Sequence, residues 1–187
     1  CSLRLSITPT SHHCGANLVK NLAGEYFLIT AAHCISQYNA WTLDYDIALF
    51  SLSAQPPTNN YISAVCIPNE GWSEGEQAIV AGWGTSTSVT APYKLHQVNK
   101  LIAPRATCQQ IYGGSSVTDR MICAGLPANA VDSCQGDGGG PLYTYRENRW
   151  TLAGVVSWGY GCAEAGRSGV YTDVFALKAW INENINP

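Results

Sequence analysis

The chain has 187 residues, of which 46% are hydrophobic, 12% are charged and 18 are glycine. This composition is typical of a folded, loop-rich protein of one large or two small domains, and it excludes intrinsic disorder. A net charge of -3 provides no basic surface for nucleic acid, and no apolar run approaches the ~18 residues that a membrane span needs.

Short apolar runs separated by Gly, Pro, Asn and Ser recur along the chain. The clearest runs cover residues 26–30, 47–50, 78–81 and 150–156. Their length and the turn residues between them predict strands, and therefore an all-β barrel or sandwich. Residues 55–60 (Gln-Pro-Pro-Thr-Asn-Asn) have the composition of a linker that joins two β halves.

Two helices are predicted. Pro104 suits a first helical turn, and the helix is expected to run towards Ile111. A second helix at the C-terminus is expected to be capped by Asp173. Its apolar residues recur at helical spacing, namely Val174, Leu177, Trp180, Ile181 and Ile185.

The eight cysteines form no C-x-x-C pair; they stand at positions 1, 14, 34, 66, 108, 123, 134 and 162. This spacing argues against a zinc ribbon or a thioredoxin-type site. We therefore predict disulfides and an extracellular, secreted protein. Since no apolar run follows the first four residues, we expect any secretion signal to have been removed.

Two segments carry candidate chemistry. Residues 30–34 (Thr-Ala-Ala-His-Cys) place a histidine at the end of a predicted strand. Residues 132–141 (Asp-Ser-Cys-Gln-Gly-Asp-Gly-Gly-Gly-Pro) form a glycine-dense loop that can expose several backbone N–H groups. Either segment alone is more often structural than functional.

Together and in this order, the two segments resemble the trypsin/chymotrypsin family of serine proteases. The resemblance extends to four further blocks, at residues 44–49, 81–84, 156–159 and 168–172. It covers almost the whole chain, from about residue 12 to the C-terminal helix. It implies one trypsin-like (peptidase S1) domain made of two packed antiparallel six-stranded-type β-barrels, the first shortened, with a C-terminal α-helix. The N-terminal half-barrel is expected over 1–60, and the C-terminal barrel and helix over 61–187.

The resemblance also implies catalytic roles. His33 matches the general base, and Asp46 matches the carboxylate that orients it. The family's motif around the nucleophile is Gly-Asp-Ser-Gly-Gly-Pro, whereas residues 136–141 read Gly-Asp-Gly-Gly-Gly-Pro, so Gly138 stands where the catalytic serine is expected. The oxyanion hole needs only the backbone N–H groups of Gly136 and Gly138.

A pocket for a basic side chain is implied as well. Asp132 matches the carboxylate at its base, which pairs with a substrate Arg or Lys. The other residues matched to this substrate site are Ser133, Gln135, Ser157, Trp158, Gly159 and Gly169.

Three disulfides follow from the same resemblance: Cys14–Cys34, Cys108–Cys123 and Cys134–Cys162. The fate of Cys1 and Cys66 stays open between a bond to each other and a bond to another chain.

The sequence departs from the family in three respects. Gly138 replaces the serine. His33 and Asp46 are 13 positions apart instead of several tens, which is expected to leave the first barrel short and its edges unpaired. The sequence begins at Cys1, inside the family's first strand, instead of at the N-terminal Ile-Val-Gly-Gly whose ammonium, in the family, pairs with the carboxylate matching Asp137.

The leading functional hypothesis is a trypsin-like protease homologue that keeps a basic-residue pocket and lacks peptidase activity. Its expected partner is a protein or peptide with an exposed Arg or Lys, a protease inhibitor, or a disulfide-linked or assembled partner chain. Neither nucleic acid, membrane, cofactor nor metal is expected. The alternative is an active endopeptidase that cleaves after Arg or Lys, of which this sequence is a substituted or partial version. A purely structural β domain is disfavoured because pocket residues serve no folding purpose.

Overall fold

The computed structural model describes residues 1–4, 6, 11–35, 38, 42–85, 94–125, 135–160 and 167–186. Over these residues the chain is mostly β. The strands are β1 (Ser2–Leu3), β2 (Cys14–Gly15), β3 (Asn17–Lys20), β4 (Tyr26–Thr30), β5 (Ala48–Ser51), β6 (Gln77–Gly82), β7 (His96–Leu101), β8 (Met121–Ala124), β9 (Pro141–Arg146), β10 (Arg149–Trp158) and β11 (Gly169–Asp173). A 3₁₀ turn covers Ala32–Cys34, and the two α-helices are α1 (Arg105–Tyr112) and α2 (Lys178–Ile185).

The larger sheet has six antiparallel strands in the order β7-β6-β9-β10-β11-β8. It curls until its two edges meet, because a bridge pairs Ile102, just after β7, with Ala124 of β8. The central strand β10 has six consecutive buried residues. Both of its faces are therefore covered, one by the interior of the curled sheet and the other by the rest of the molecule.

The smaller sheet has three strands in the order β3-β4-β5, and a two-stranded ribbon, β1-β2, lies at the start of the chain. The N-terminal β structure is thus shorter than the C-terminal sheet, as the close spacing of His33 and Asp46 predicts. Residues between the two sheets are tied to both. Val65 N–H donates to the carbonyl of Leu18 in β3, and Cys66 forms a bridge with Thr151 of β10. A domain division near residue 60 remains a prediction.

One apolar core joins the two sheets and the C-terminal helix. The cluster contains Val19 and Ile29 of the small sheet, Leu152 and Val155 of the large sheet, and Ile181 of α2, each fully buried. Burial of such a side chain contributes roughly 1.5–3 kcal/mol, so this shared core fixes the small sheet against β10. The candidate site lies where these two parts meet.

The helix predictions had different outcomes. The helix expected to begin at Pro104 is confirmed: α1 starts at Arg105, directly after it. The prediction that Asp173 caps the C-terminal helix is wrong. Asp173 ends β11, and its Oδ1 accepts the N–H groups of Phe175 (2.9 Å) and Ala176 (3.1 Å), which closes a turn before α2 begins at Lys178.

No helix among the described residues is long and apolar enough to cross a membrane.

Candidate active site

His33 and Asp46 are brought together by neighbouring strands. His33 lies in the 3₁₀ turn after β4, Asp46 lies just before β5, and β4 pairs with β5. The ring Nδ1 of His33 donates to Oδ2 of Asp46 at 2.6 Å, and the backbone N–H of His33 donates to Oδ1 at 2.8 Å. Because both carboxylate oxygens hold the same residue, the orientation of the imidazole is fixed.

Asp46 is buried, with 1% of its surface exposed, so its carboxylate oxygens need hydrogen-bond donors from the surrounding protein. Ser157 of β10 supplies one, since its Oγ donates to Oδ2 at 2.6 Å. Thr172 of β11 donates from Oγ1 to the backbone carbonyl of Asp46 at 2.7 Å. The sequence assigned Ser157 only to substrate binding and missed this contact. No local motif could have revealed it, because the partners are 111 positions apart.

Gly138 faces the free edge of the imidazole. A Cβ built on Gly138 would lie 2.5 Å from Nε2 of His33 and 3.1 Å from Cε1. The side chain of a residue at this position would therefore point at the nitrogen that is not bonded to Asp46. The three positions of the expected catalytic group come together, but glycine has no atom that could attack a substrate.

Within the loop over residues 135–140, some backbone N–H groups donate to backbone carbonyls and others do not. The N–H groups of Gly139 and Gly140 donate to backbone carbonyls at 2.9 and 2.8 Å. In the part of the chain that the structure describes, the N–H groups of Gly136 and Gly138 meet no backbone acceptor. These are the two donors that the resemblance assigns to an oxyanion hole.

The loop is held from the N-terminal side by close backbone contact. Gly15 N–H donates to the carbonyl of Gly138 at 2.8 Å, and a Cβ at Gly15 would lie 2.5 Å from Cα of Gly140. Asn17 Nδ2 donates to the carbonyl of Gly139 at 3.0 Å. Thr30 Oγ1 donates to the carbonyl of Gly15 at 2.7 Å. These contacts let the small sheet determine the position of the loop.

His12 is a further support that the sequence did not identify. Its Nε2 is 2.7 Å from the carbonyl of Gly136, and its Nδ1 is 2.7 Å from Ser2 Oγ. Since a carbonyl only accepts, Nε2 donates to Gly136, and the Ser2 hydroxyl is the hydrogen-bond partner of Nδ1. His12 therefore holds one side of the donor loop.

Asp137 is buried against a glycine-rich corner. Its Oδ1 accepts the N–H of Gly84 at 2.8 Å. A Cβ at Gly84 would lie 2.5 Å from the carboxylate, and one at Gly82 would lie 1.9 Å from Oδ1. Glycine is needed at both positions because the carboxylate occupies the space of a side chain.

The expected substrate pocket is described only in part. Asp132, Ser133 and the predicted Cys134–Cys162 disulfide lie outside the described residues. Gly159 is opposite Gly169, since a Cβ at Gly159 would lie 4.0 Å from the other residue's Cα. Gln135 is exposed, and its carbonyl accepts the N–H of Thr85 at 2.8 Å.

An aromatic cleft of about 600 Å³ continues from Gly159. Tyr112 lies between two other rings, with centroids 5.0 Å from Trp158 and 5.6 Å from Tyr160. The indole Nε1 of Trp158 is buried without a hydrogen-bond partner among the described residues. These rings give the cleft apolar faces.

The loop that carries Asp46 is attached to the C-terminal half by an ion pair. Asp44 accepts hydrogen bonds from Arg120, the shortest 2.6 Å, and from Thr118 Oγ1 at 2.9 Å. Burial acts to raise the pKa of Asp44, but the hydrogen bonds and charge of Arg120 outweigh it and hold this pKa below its ordinary value. Burial, followed by the negative charges of Asp46 and Asp44, raises the pKa of Tyr38 to about 12.

Among the described residues two disulfides are formed, Cys14–Cys34 and Cys108–Cys123. The first joins β2 to the turn that carries His33. Cys14, Cys34 and His33 lie close enough together to suggest a metal site, but sulfurs bonded to each other offer no thiolate.

The alternative of a Cys1–Cys66 bond is not formed, since both thiols are free. The two residues belong to different parts of the fold. Cys1 lies beside the β1-β2 ribbon, with its ammonium bonded to the carbonyl of Ala16 at 2.7 Å, whereas Cys66 pairs with Thr151 of β10.

Comparisons with known proteins agree with this architecture. A family model described as Trypsin matches residues 35–181. Trypsin-1 of Astacus astacus is 43% identical over 76% of this chain and 60% of its own length. Transmembrane protease serine 9 of Rattus norvegicus is 34% identical over 92% of this chain, a match that spans 20% of that protein. Anionic trypsin of Bos taurus is 33% identical over 97% of this chain and 83% of its own length. The chain thus spans less than two thirds of the first two relatives and most of the third.

Proposed function

Because this chain belongs to the trypsin family, we propose that it is a protease homologue that binds exposed Arg or Lys side chains without cleaving the peptide. The observation that carries the proposal is the pairing of an assembled His33–Asp46 dyad with a glycine opposite Nε2. Recognition and bond cleavage use different atoms, so a single substitution can remove the cleavage activity and leave the binding activity intact.

The loss of activity follows from covalent catalysis. The reaction needs an oxygen that attacks the peptide carbonyl while His33 accepts its proton, and Gly138 has no such oxygen. Removing the nucleophile of this kind of catalytic unit costs on the order of 10⁶ in kcat. The oxyanion donors and binding then leave about 10³–10⁴ over the uncatalysed reaction, far below a protease rate.

The binding function rests on the pocket assigned to Asp132. Its carboxylate would pair with a guanidinium or ammonium group by charge-assisted hydrogen bonds. The facing Gly159 and Gly169 support this assignment, because walls without side chains leave room for a long basic residue. The aromatic cleft beside Gly159 would contact the residues that precede the basic one.

We propose that the protein is secreted and acts on protein partners, either a chain with an exposed Arg or Lys or a protease inhibitor. Disulfides persist in oxidising compartments, and the described part of the chain contains two. The free thiols of Cys1 and Cys66 leave a disulfide-linked partner chain possible.

A second candidate is an active endopeptidase that cleaves after Arg or Lys, in which a serine occupies position 138. The residues around position 138 favour this candidate. The His33–Asp46 dyad, the N–H groups of Gly136 and Gly138, and the direction in which a side chain at position 138 would point are those that a catalytic serine requires. The two candidates share the pocket and differ at one side chain.

The pocket is tested by calorimetric titration with benzamidine, whose amidinium imitates an arginine side chain. We expect saturable binding that Asp132→Asn weakens at least about tenfold, because the charge partner is lost. Asp119→Asn is the matched control, since this carboxylate is 91% exposed and should leave the affinity unchanged. No binding, or equal binding by the Asp132 variant, would refute the pocket.

A further inference from the structure

The three-stranded sheet has two edge strands, and the described residues cover only one of them. The strand order is β3-β4-β5, so β3 and β5 are the edges. At β3, the N–H of Val65 donates to the carbonyl of Leu18 at 2.8 Å. At β5, no backbone hydrogen bond to a strand other than β4 forms within the described part of the chain. The outer edge of β5 (Ala48–Ser51) therefore offers a row of backbone groups to a further strand.

The residues whose backbone groups point outward follow from the alternation of an antiparallel ladder. Leu18 bonds outward from the sheet, so Leu18 and Leu28, which lie opposite each other, form a non-hydrogen-bonded pair. Leu28 therefore turns its backbone groups towards Phe50, its partner in β5. The residues on either side of Phe50 alternate with it. Leu49 and Ser51 thus turn their N–H and carbonyl groups away from β4, towards the open edge.

One row of apolar side chains crosses the sheet and ends at this edge. Leu18, Leu28 and Phe50 are paired across β3, β4 and β5, so they project from the same face. Exposure rises along the row: Leu18 is 7% exposed, Leu28 is half-buried, and Phe50 is 39% exposed. A side chain placed beyond Phe50 would remove this remaining apolar surface from water.

The edge carries no charge that would keep another strand away. Edge strands of monomeric proteins commonly have charged side chains or proline, which prevent pairing with other chains. Residues 47–69 contain no Asp, Glu, Lys, Arg or His. Pro56 and Pro57 follow β5 only after four further residues. An identical strand that approaches β5 therefore meets neither a like charge nor a missing N–H group.

We propose that the chain forms a symmetric dimer in which β5 pairs antiparallel with β5 of a second copy. The pairing joins two three-stranded sheets into one continuous sheet with the order β3-β4-β5-β5-β4-β3. The two-fold axis stands perpendicular to this sheet, because only that direction reverses the strand and keeps its core-facing side on the same face. One residue of β5 then lies opposite its own copy.

Phe50 is the residue that fits this axis. With Phe50 opposite Phe50 of the second copy, Leu49 of each chain lies opposite Ser51 of the other. These two residues turn their backbone groups outward, so each opposed pair exchanges N–H and carbonyl groups. Phe50 turns its own backbone groups towards β4, which makes the Phe50 pair non-hydrogen-bonded, the arrangement in which side chains come closest. The two apolar rows then meet at the centre of the dimer.

The chain itself supplies the strand that this edge requires. That strand is neutral, has outward backbone groups at the matching positions and places an exposed apolar side chain at the axis. Because β5 has four residues, the ladder is short, and the contact belongs to the weak class of protein interfaces. We therefore expect monomer and dimer to exchange at micromolar protein concentrations.

The test is sedimentation equilibrium of the full chain at concentrations from about 1 to about 200 μM. Iodoacetamide first blocks the free thiols of Cys1 and Cys66, so that a disulfide between copies is not counted. The average mass of the wild-type chain should rise towards twice the monomer mass. Phe50→Lys should raise the dimer dissociation constant at least about tenfold, because two like charges would lie directly opposite each other.

Tyr61→Lys is the matched control. Tyr61 belongs to the same uncharged stretch, is 95% exposed and lies outside the strands. The same change of charge at this position should leave the dissociation constant unchanged.

A charge exchange at the axis separates loss of the contact from loss of the fold. Phe50→Glu alone should weaken the dimer as much as Phe50→Lys. An equimolar mixture of the two variants should associate at least about tenfold more tightly than either alone, because the axis places a lysine opposite a glutamate. A variant that failed to fold could not recover in the mixture.

Three results would overturn this inference. A wild-type chain that stays monomeric up to about 200 μM would show that another segment or another protein occupies the edge of β5. A dimer that Phe50→Lys leaves unchanged would place the contact on a different surface. A mixture of folded Lys and Glu variants that associates no better than either alone would exclude the two-fold pairing at Phe50.

Discussion

The proposed loss of cleavage depends on a single position, Gly138. Asp46 fixes His33, and the unbonded edge of the ring faces Gly138. The motifs around these three positions identified them in the sequence, because each lies within a short, distinctive block. The hydrogen bond from Ser157, which was assigned only to substrate binding, to Asp46 was not predicted, and neither was the support that His12 gives to Gly136. Their roles depend on contacts across the fold, and a lone Ser or His carries no local signal.

The Asp44–Arg120 ion pair gives a prediction at the same scale. Arg120→Gln should lower the free energy of unfolding by about 1 kcal/mol at neutral pH, because a carboxylate that is 15% exposed loses its charged partner. Urea denaturation of the wild type and the variant measures this difference in the free energy of unfolding. Arg149→Gln is the matched control: its partner Glu147 is 80% exposed, so the loss should be close to zero.

The pH dependence of this difference has a definite sign. The pKa of Asp44 is lowered in the folded state, so its contribution is fully present above the unfolded pKa of about 3.9 and is lost as the pH falls through the folded value. The gap between the wild type and Arg120→Gln should therefore shrink below a pH of about 4. A gap that is the same at neutral and acidic pH would show that the charge of Asp44 is not responsible.

At the scale of elements, the approach of β2 to the donor loop positions the site. Gly15→Ala should destabilise the protein by about 1–3 kcal/mol, because the new Cβ would lie 2.5 Å from Cα and 2.7 Å from N of Gly140, and these backbone atoms cannot rotate away as a side chain can. Gly114→Ala is the control, since nothing lies within 4 Å of that Cβ, and it should change stability by less than about 0.5 kcal/mol. Thermal unfolding of the two variants decides this, and equal melting temperatures would contradict the packing argument.

Elements with a strong local signal were predictable from the sequence. The apolar run at residues 26–30 forms β4, and the helix expected after Pro104 forms α1. The start of the C-terminal helix was not predictable from Asp173. Pairing with Gly154 of β10 keeps this residue in a strand, and its carboxylate closes the next turn instead of capping the helix.

For the whole molecule, the sequence indicated the all-β class and the short N-terminal part through its turn chemistry and the spacing of His33 and Asp46. The core that joins the two sheets was harder to predict from the sequence. It combines Ile29, Leu152 and Ile181, which are far apart in the chain, and no periodic pattern links such residues. The family to which the chain belongs supplies that long-range arrangement, while position 138 holds a glycine where the family's motif has a serine.

If the fold is assembled for recognition and lacks only the attacking oxygen, a serine at position 138 should restore cleavage. This is measured by the hydrolysis of an arginine p-nitroanilide by protein whose intact mass verifies Gly138, compared with Gly138→Ser. We expect no measurable turnover by the glycine chain and a gain of at least about 10³-fold in the serine variant. Protease-like turnover by the verified glycine chain would contradict it.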